Sequence, residues 1–211
     1  MGGWEHLWAF AVFATIAAFT PGPNNIMLAA SGVNFGLRRS LPHIFGITAG
    51  FLSVVIAAAF GLGGLFTLLP FLYDGLRLIA LGFLIYIAYK IGSATPTDDS
   101  QLSSDISDKP KTSTPLGFWP AFLFQWMNPK ALIVVFSAVT AYAGSGPQFW
   151  VSLISITFIF FLVTITSTLA WCALGVLIAR LLSNRLAYRI FNITMAGLLV
   201  ASLLPVLITP S

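Results

Sequence analysis

Apolar residues in this chain gather into six long blocks, at about 6–30, 43–69, 73–93, 116–143, 148–179 and 190–209, separated by polar or turn-rich breaks. About 20 helical residues, each rising 1.5 Å, cross roughly 30 Å of hydrocarbon. The blocks are of that order of length. Runs such as Gly82–Ala88 and Ile154–Phe161 show none of the apolar–polar alternation of a membrane β-strand. The pattern predicts an all-α integral membrane protein of about six transmembrane helices.

Between the third and fourth blocks, residues 94–115 are rich in Ser, Thr, Asp and Pro and almost free of apolar side chains. Such a stretch reads as a mobile cytoplasmic linker. It divides the chain into a first transmembrane half, 1–93, and a second, 116–211. With three helices in each half, the fourth helix starts on the side opposite to the first, so the two halves are expected to be inverted with respect to each other. Inverted halves are common in secondary transporters, where interrupted helices form the substrate site at the repeat interface.

Both halves carry such an interruption. In the first, the apolar run Leu7–Phe19 meets Thr20-Pro21-Gly22-Pro23-Asn24-Asn25 before apolar residues resume at Ile26. The prolines remove backbone donors and clash with the preceding turn, and the glycine between them relaxes the chain further. Unsatisfied backbone groups cost several kcal/mol in hydrocarbon, so a break there requires protein or a wet cavity opposite it. The competing reading is a plain loop at the end of helix 1, with the asparagines capping a short helix. In the second half, Gln125-Trp126-Met127-Asn128-Pro129-Lys130 is flanked by apolar residues, and Lys130 is the one charge deep in a hydrophobic block. A buried cation should face a polar interior or snorkel to water. One reading has Lys130, Gln125 and Asn128 facing a pathway, with the ammonium placed for the carboxylate of a zwitterionic solute. The other starts a helix at Pro129, with Asn128 as its N-cap and Lys130 near the interface.

Composition sharpens the class. Of 211 residues 58% are hydrophobic and 8% charged, and the mean hydropathy is +0.94; one soluble core could not hide that much apolar surface. Net charge is +4 and the pI about 9.5. The basic residues Arg38, Arg39, Lys90, Lys109, Lys111, Arg180, Arg185 and Arg189 fall in alternate connections, which places those loops in the cytoplasm and both termini outside. This bias accounts for the charge, and no nucleic-acid partner is needed. No Lys or Arg precedes the first apolar run, which argues against a cleaved signal peptide. Cys172 is single, so no disulfide framework exists, and it reads as a small packing residue. Trp4, Trp8, Trp119 and Trp150 near helix ends suit interfacial belts, and Gly46, Gly50, Gly61, Gly63, Gly64 and Gly82 suit close helix approach.

The Thr20–Asn25 motif, the glycine-rich stretch from Gly32 to Gly50 and Gln125–Lys130, in a six-block chain of this length with a polar centre, resemble the LysE/RhtB family of amino-acid exporters. Trp171-Cys172-Ala173-Leu174-Gly175 ahead of the basic 180–189 loop is most similar to its cysteine/O-acetylserine branch. The resemblance implies export of small amino acids or derivatives, of cysteine, O-acetylserine, homoserine or threonine type, across a bacterial inner membrane, driven by an ion gradient. Pro21, Gly22, Pro23 and Asn24, with Gln125, Asn128, Pro129 and Lys130, are the implied substrate residues, and Asn25 joins them by position.

A proton is the expected coupling ion, yet no acid lies inside a span. Glu5 and Asp74 are near the outer boundary and the other acids are in the linker. His43, at the start of the second block, is the titratable candidate, against a bland reading as a boundary residue. His6, His43 and Cys172 lie in separate segments, which speaks against a metal site and an inorganic-ion carrier, the alternative function. No catalytic motif is present, so no enzyme and no cofactor is expected. Small-residue faces leave a homo-oligomer open.

Overall fold

The computed structural model describes residues 3–61, 68, 70–94, 114–144 and 146–203. The helices are α1 (Gly3–Phe19), α2 (Pro23–Ala59), α3 (Pro70–Gly92), α4 (Phe118–Gln125), α5 (Pro129–Tyr142), α6 (Phe149–Leu181) and α7 (Arg185–Ala201), with one 3-10 turn, Gly146–Gln148, before α6. No strand occurs among the described residues. Most of the expected linker, the end of the second block with Gly63 and Gly64, and the last residues of the sixth lie outside the described residues. By length and composition Pro23–Ala59, Asp74–Gly92 and Gly146–Leu181 can each cross a membrane, and α4 with α5, bent by 56°, makes a fourth span if the pair is counted as one.

The stretch expected to connect the first two blocks, about 31–42, is instead helical except at Gly36, which takes φ 75° and ψ 171°. That backbone conformation suits glycine, and it makes an elbow. In a straight helix Asn24 and Phe51 would stand about 40 Å apart at 1.5 Å per residue, yet both line one cavity. The arms 23–35 and 37–59 therefore fold back on each other. Ser31 Oγ and Ser40 Oγ, 2.7 Å apart, tie them near the elbow, and Ser40 Oγ donates to Gly36 O at 2.8 Å.

Tight backbone crossings hold the arms against the second half. A Cβ on Gly32 would collide with the carbonyl of Cys172, and one on Gly175 with the carbonyl of Ala29, so the 23–35 arm and α6 meet main chain to main chain. Gly46 and Gly50 do the same for the 37–59 arm against the carbonyls of Phe118 and Phe122 in α4. Gly82 meets nothing within 4 Å, so the packing role expected of it is not realised. Cys172 is fully buried among Leu28, Ile44, Ile47 and Ala121, as a packing residue should be.

Two further apolar clusters flank this centre. Phe10, Phe51 and Phe160 meet edge to face, at 4.9 Å for Phe10–Phe160 and 5.1 Å for Phe51–Phe160, in a cluster joining α1, the 37–59 arm, α5 and α6. Leu84, Ile87 and Ala88 of α3 pack with Leu199 of α7 and Phe124 of α4. Large apolar side chains such as Trp119, Phe158 and Leu177 face outward, which suits lipid rather than water.

Asn192 gathers one end of the molecule. It exchanges hydrogen bonds with Asn34, at 2.8 and 3.1 Å, and donates to Ala94 O at 3.1 Å. The elbow with Arg38 and Arg39, the end of α3 with Lys90, and the first turns of α7 with Arg189 are thereby brought to the same end.

Replacing Gly32 or Gly175 by valine forces the crossing helices apart and should cost about 1–3 kcal/mol, read as a lower Tm of the purified protein; Gly82→Ala, in open space inside a helix, should hold or raise the Tm.

Candidate functional site

The site grows from the break between α1 and α2. Pro21 and Pro23 carry no N–H, so the donors that would have closed on the carbonyls of Ala17 and Phe19 are missing, and the turn at 20–22 releases those of Ala18 and Thr20. The protein answers with side chains. Asn25 Nδ2 donates to Ala18 O at 2.8 Å and to Thr20 O at 2.9 Å, using both of its hydrogens. Ser167 Oγ of α6 donates to Ala18 O at 2.8 Å, and Lys130 Nζ of α5 donates to Thr20 O at 2.7 Å.

Beyond the break, Gly22 caps α2 in extended backbone with no side-chain hydrogen bond, and Pro23 occupies its first turn. The first amides of α2 thus have no cap from their own chain. Gly22 lets Lys130 approach closely, since a Cβ there would stand 3.0 Å from Lys130 Cδ and 3.1 Å from Lys130 Nζ and the lysine would have to give by a few tenths of an ångström.

The second break mirrors the first. Residues 126–128 interrupt the fourth block, and Asn128 caps α5, its Oδ1 accepting from the backbone N–H of Lys130 at 3.2 Å, with Pro129 in the first turn. Of the two sequence readings, the start of a helix at Pro129 with Asn128 as its N-cap is what the structure has. Asn128 is the N-cap, and Lys130 nevertheless reaches inward, because α4 precedes the cap at a 56° bend and keeps α5 from starting at the surface.

Asn24 and Gln125 join the two breaks directly. Asn24 Nδ2 donates to Gln125 Oε1 at 2.7 Å and Gln125 Nε2 returns a bond to Asn24 Oδ1 at 3.1 Å, with a second to Ala121 O at 3.0 Å. Gln125 is 0% exposed and lies behind Asn24 rather than on the cavity. Trp126 Nε1 donates to Ser53 Oγ at 3.0 Å, a further tie between the second break and the 37–59 arm.

Between the breaks lies a cavity of about 60 Å³, several times the ~10–15 Å³ that one water needs. Of the expected residues, Gly22, Pro23, Asn24, Asn25, Asn128 and Lys130 line it, whereas Pro21, Gln125 and Pro129 do not. Sequence reasoning missed the wall supplied by α6, where Thr164, Ser167 and Thr168 face the cavity. Their spacing of three and four puts these hydroxyls on one helix face within an apolar span, and that was the available signal. Ile47, Phe51, Val134, Phe160 and several alanines, Ala17 among them, complete the lining with apolar surface. Among the described residues, Lys130 is the one charged side chain on the wall, and no carboxylate lines it. His43, expected as a boundary residue or proton group, is neither at a helix end nor on this cavity: it lies inside α2 and is 1% exposed.

Two helix breaks thus meet at a mainly apolar cavity that carries a few polar groups and one ammonium, within an apolar helical molecule. The chain belongs to the LysE type translocator family, whose profile matches residues 15–208. It is thus a multi-pass membrane transporter and not an enzyme. It is similar to the cysteine/O-acetylserine efflux protein of Salmonella typhimurium (strain LT2), 28% identical over 192 residues covering 91% of this chain and 92% of the relative. The protein of the same description from Escherichia coli (strain K12) is 27% identical over the same coverage. No solved structure matches significantly.

Asn24→Ala leaves the buried Gln125 carboxamide short of two bonds, which should cost about 1–3 kcal/mol. Paired with Gln125→Leu in a double-mutant cycle, thermal unfolding should show a coupling of about 0.5–3 kcal/mol; additive losses would mean that the pair does not join the breaks.

Proposed function

We propose that the chain exports small neutral amino acids or their derivatives, of the cysteine, O-acetylserine, homoserine or threonine type, from the cytoplasm, and that the cavity between the two breaks is the substrate site. The observation that carries this reading is that one small cavity offers groups for both ends of a zwitterion. Lys130 Nζ spends one hydrogen on Thr20 O and keeps two, and the uncapped amides of α2 point positive partial charge the same way. Together they suit a carboxylate.

The carbonyls of Ala18 and Thr20 each accept two bonds already. An ammonium would therefore turn to the lone pairs of the α6 hydroxyls and to Ala17 O, whose helical donor Pro21 has removed. The aromatic wall of Phe51 and Phe160 leaves room for a short side chain only. This favours the small solutes that the names of the similar efflux proteins also print.

The architecture that fits is six spans in two inverted halves: α1 with the 23–35 arm, the 37–59 arm, α3, α4 with α5, α6, and α7. The packing is reciprocal, as such symmetry asks. The broken helix of each half crosses the second helix of the other, through Gly32 with Gly175 and through Gly46 and Gly50 with α4, while α3 pairs with α7. The basic end organised by Asn192 faces the cytoplasm of a bacterial inner membrane and both termini lie outside. The ion gradient, with a proton as coupling ion, supplies the drive, through rocking of one half against the other.

Efflux of labelled cysteine, O-acetylserine, homoserine, threonine, lysine and arginine from preloaded proteoliposomes tests this. The wild type should release the small neutral solutes selectively, and Lys130→Ala should slow release at least about tenfold, the loss of a charged hydrogen-bond donor. No efflux from folded protein, or wild-type rates in Lys130→Ala, would overturn the reading.

A further inference from the structure

A second cavity, of about 40 Å³, opens between the arms of α2, the end of α3 and residues 114–116. It sits next to the first along the same helix faces. On one arm Asn24 lines the first cavity and Met27, one turn on, the second; on the other, Ile47 lines the first and His43, one turn away, the second. About 5.4 Å of helix, one turn, separates the two chambers, and Met27 and Ile47 belong to the layer between them.

The second chamber has unspent polar groups. His43 is 1% exposed, and among the described residues neither Nδ1 nor Nε2 has a hydrogen-bond partner. Burying an imidazole in that state is costly unless something in the cavity meets it. A neutral imidazole offers one donor and one acceptor. Ser40 gives its hydrogen to Gly36 O, so Ser31 must be the donor in the Ser31–Ser40 contact, which leaves the Ser31 oxygen free to accept. Lys90 Nζ donates one hydrogen to Thr114 O at 2.9 Å and keeps two. Asn34 is engaged by Ala30 O and Asn192 and contributes shape alone.

We infer that this chamber is a second binding subsite for the same class of small zwitterion, on the basic side of the first and in line with it. The carboxylate goes to Lys90 and the imidazole N–H, and the ammonium to Ser31 Oγ. The inference rests on the reading of the first cavity as the substrate site. If that site is the central station, the second is the waiting position reached from the cytoplasm before the Met27–Ile47 layer opens.

Equilibrium binding of labelled O-acetylserine to the purified full chain in lipid nanodiscs decides it. The expected result is two solutes per chain at saturation, reduced to one by His43→Leu or by Lys90→Gln, each weakening one site by about tenfold or more, while Lys130→Gln removes the other. Lys90 is half-exposed at the cavity mouth, so its variant should fold even if His43→Leu does not. Saturation at one solute per chain, lost in Lys130→Gln and untouched by Lys90→Gln, would overturn the second subsite and leave the first reading standing. One site lost in Lys90→Gln and indifferent to Lys130→Gln would keep the second chamber and overturn the first reading. No saturable binding would overturn both.

Discussion

A helix broken inside a membrane must find partners for the backbone groups it gives up, because no lipid atom can supply them. Here that requirement organises the centre of the molecule. The carbonyls of Ala18 and Thr20 draw in Asn25 from beyond the break, Ser167 from α6 and Lys130 from α5. Two helices distant in sequence, α5 and α6, are thus fixed to one short stretch of main chain. The asparagine pays for both carbonyls from a single carboxamide nitrogen, so its place at the third residue after Gly22 is set by geometry rather than by any need for polarity in general. Lys130 does two things with one ammonium, since satisfying Thr20 O also holds a positive charge at the mouth of the uncapped α2.

The second constraint is proximity. Side chains from α5, α6 and α4 reach the first break only if those helices lie nearly in main-chain contact with the arms of α2. The glycines at 32, 175, 46 and 50 make that approach available. Without the crossings Ser167 could not span to Ala18 O and Gln125 could not meet Asn24. Dispersion and close packing, rather than any hydrophobic drive between helices in lipid, hold such crossings together. The polar bonds at the breaks and the apolar crossings therefore support each other.

Much of this was legible in the chain. Block lengths and hydropathy showed a helical membrane protein, and Pro21-Gly22-Pro23 and Asn128-Pro129 marked where helices stop, because proline acts locally and leaves the same signature wherever it sits. The partners across the breaks were less legible, since they depend on which helix faces meet. Gln125 seemed a wall residue and instead lies behind Asn24 with its bonds filled. Thr164, Ser167 and Thr168 went unnoticed, because hydroxyl residues in an apolar span commonly bond back to their own helix, as Thr168 does to Thr164 O. The elbow at Gly36 was read as a loop because Asn34, Arg38, Arg39 and Ser40 are polar; the chain stays helical there by turning on one residue with a left-handed φ. His43 looked interfacial for the same reason, and the fold-back of the arms is what buries it.

The elbow also explains why two small cavities, each with a few polar groups, lie in line. Folding α2 back on itself sets residues at a spacing of one turn on one arm against residues at the same spacing on the other, so any polar stripe on the facing sides becomes a column. Asn24, Ser31 and His43 lie on that column, interrupted by Met27 and Ile47. An apolar layer one turn thick is a suitable barrier for a zwitterion, because desolvating both charged ends without partners is expensive.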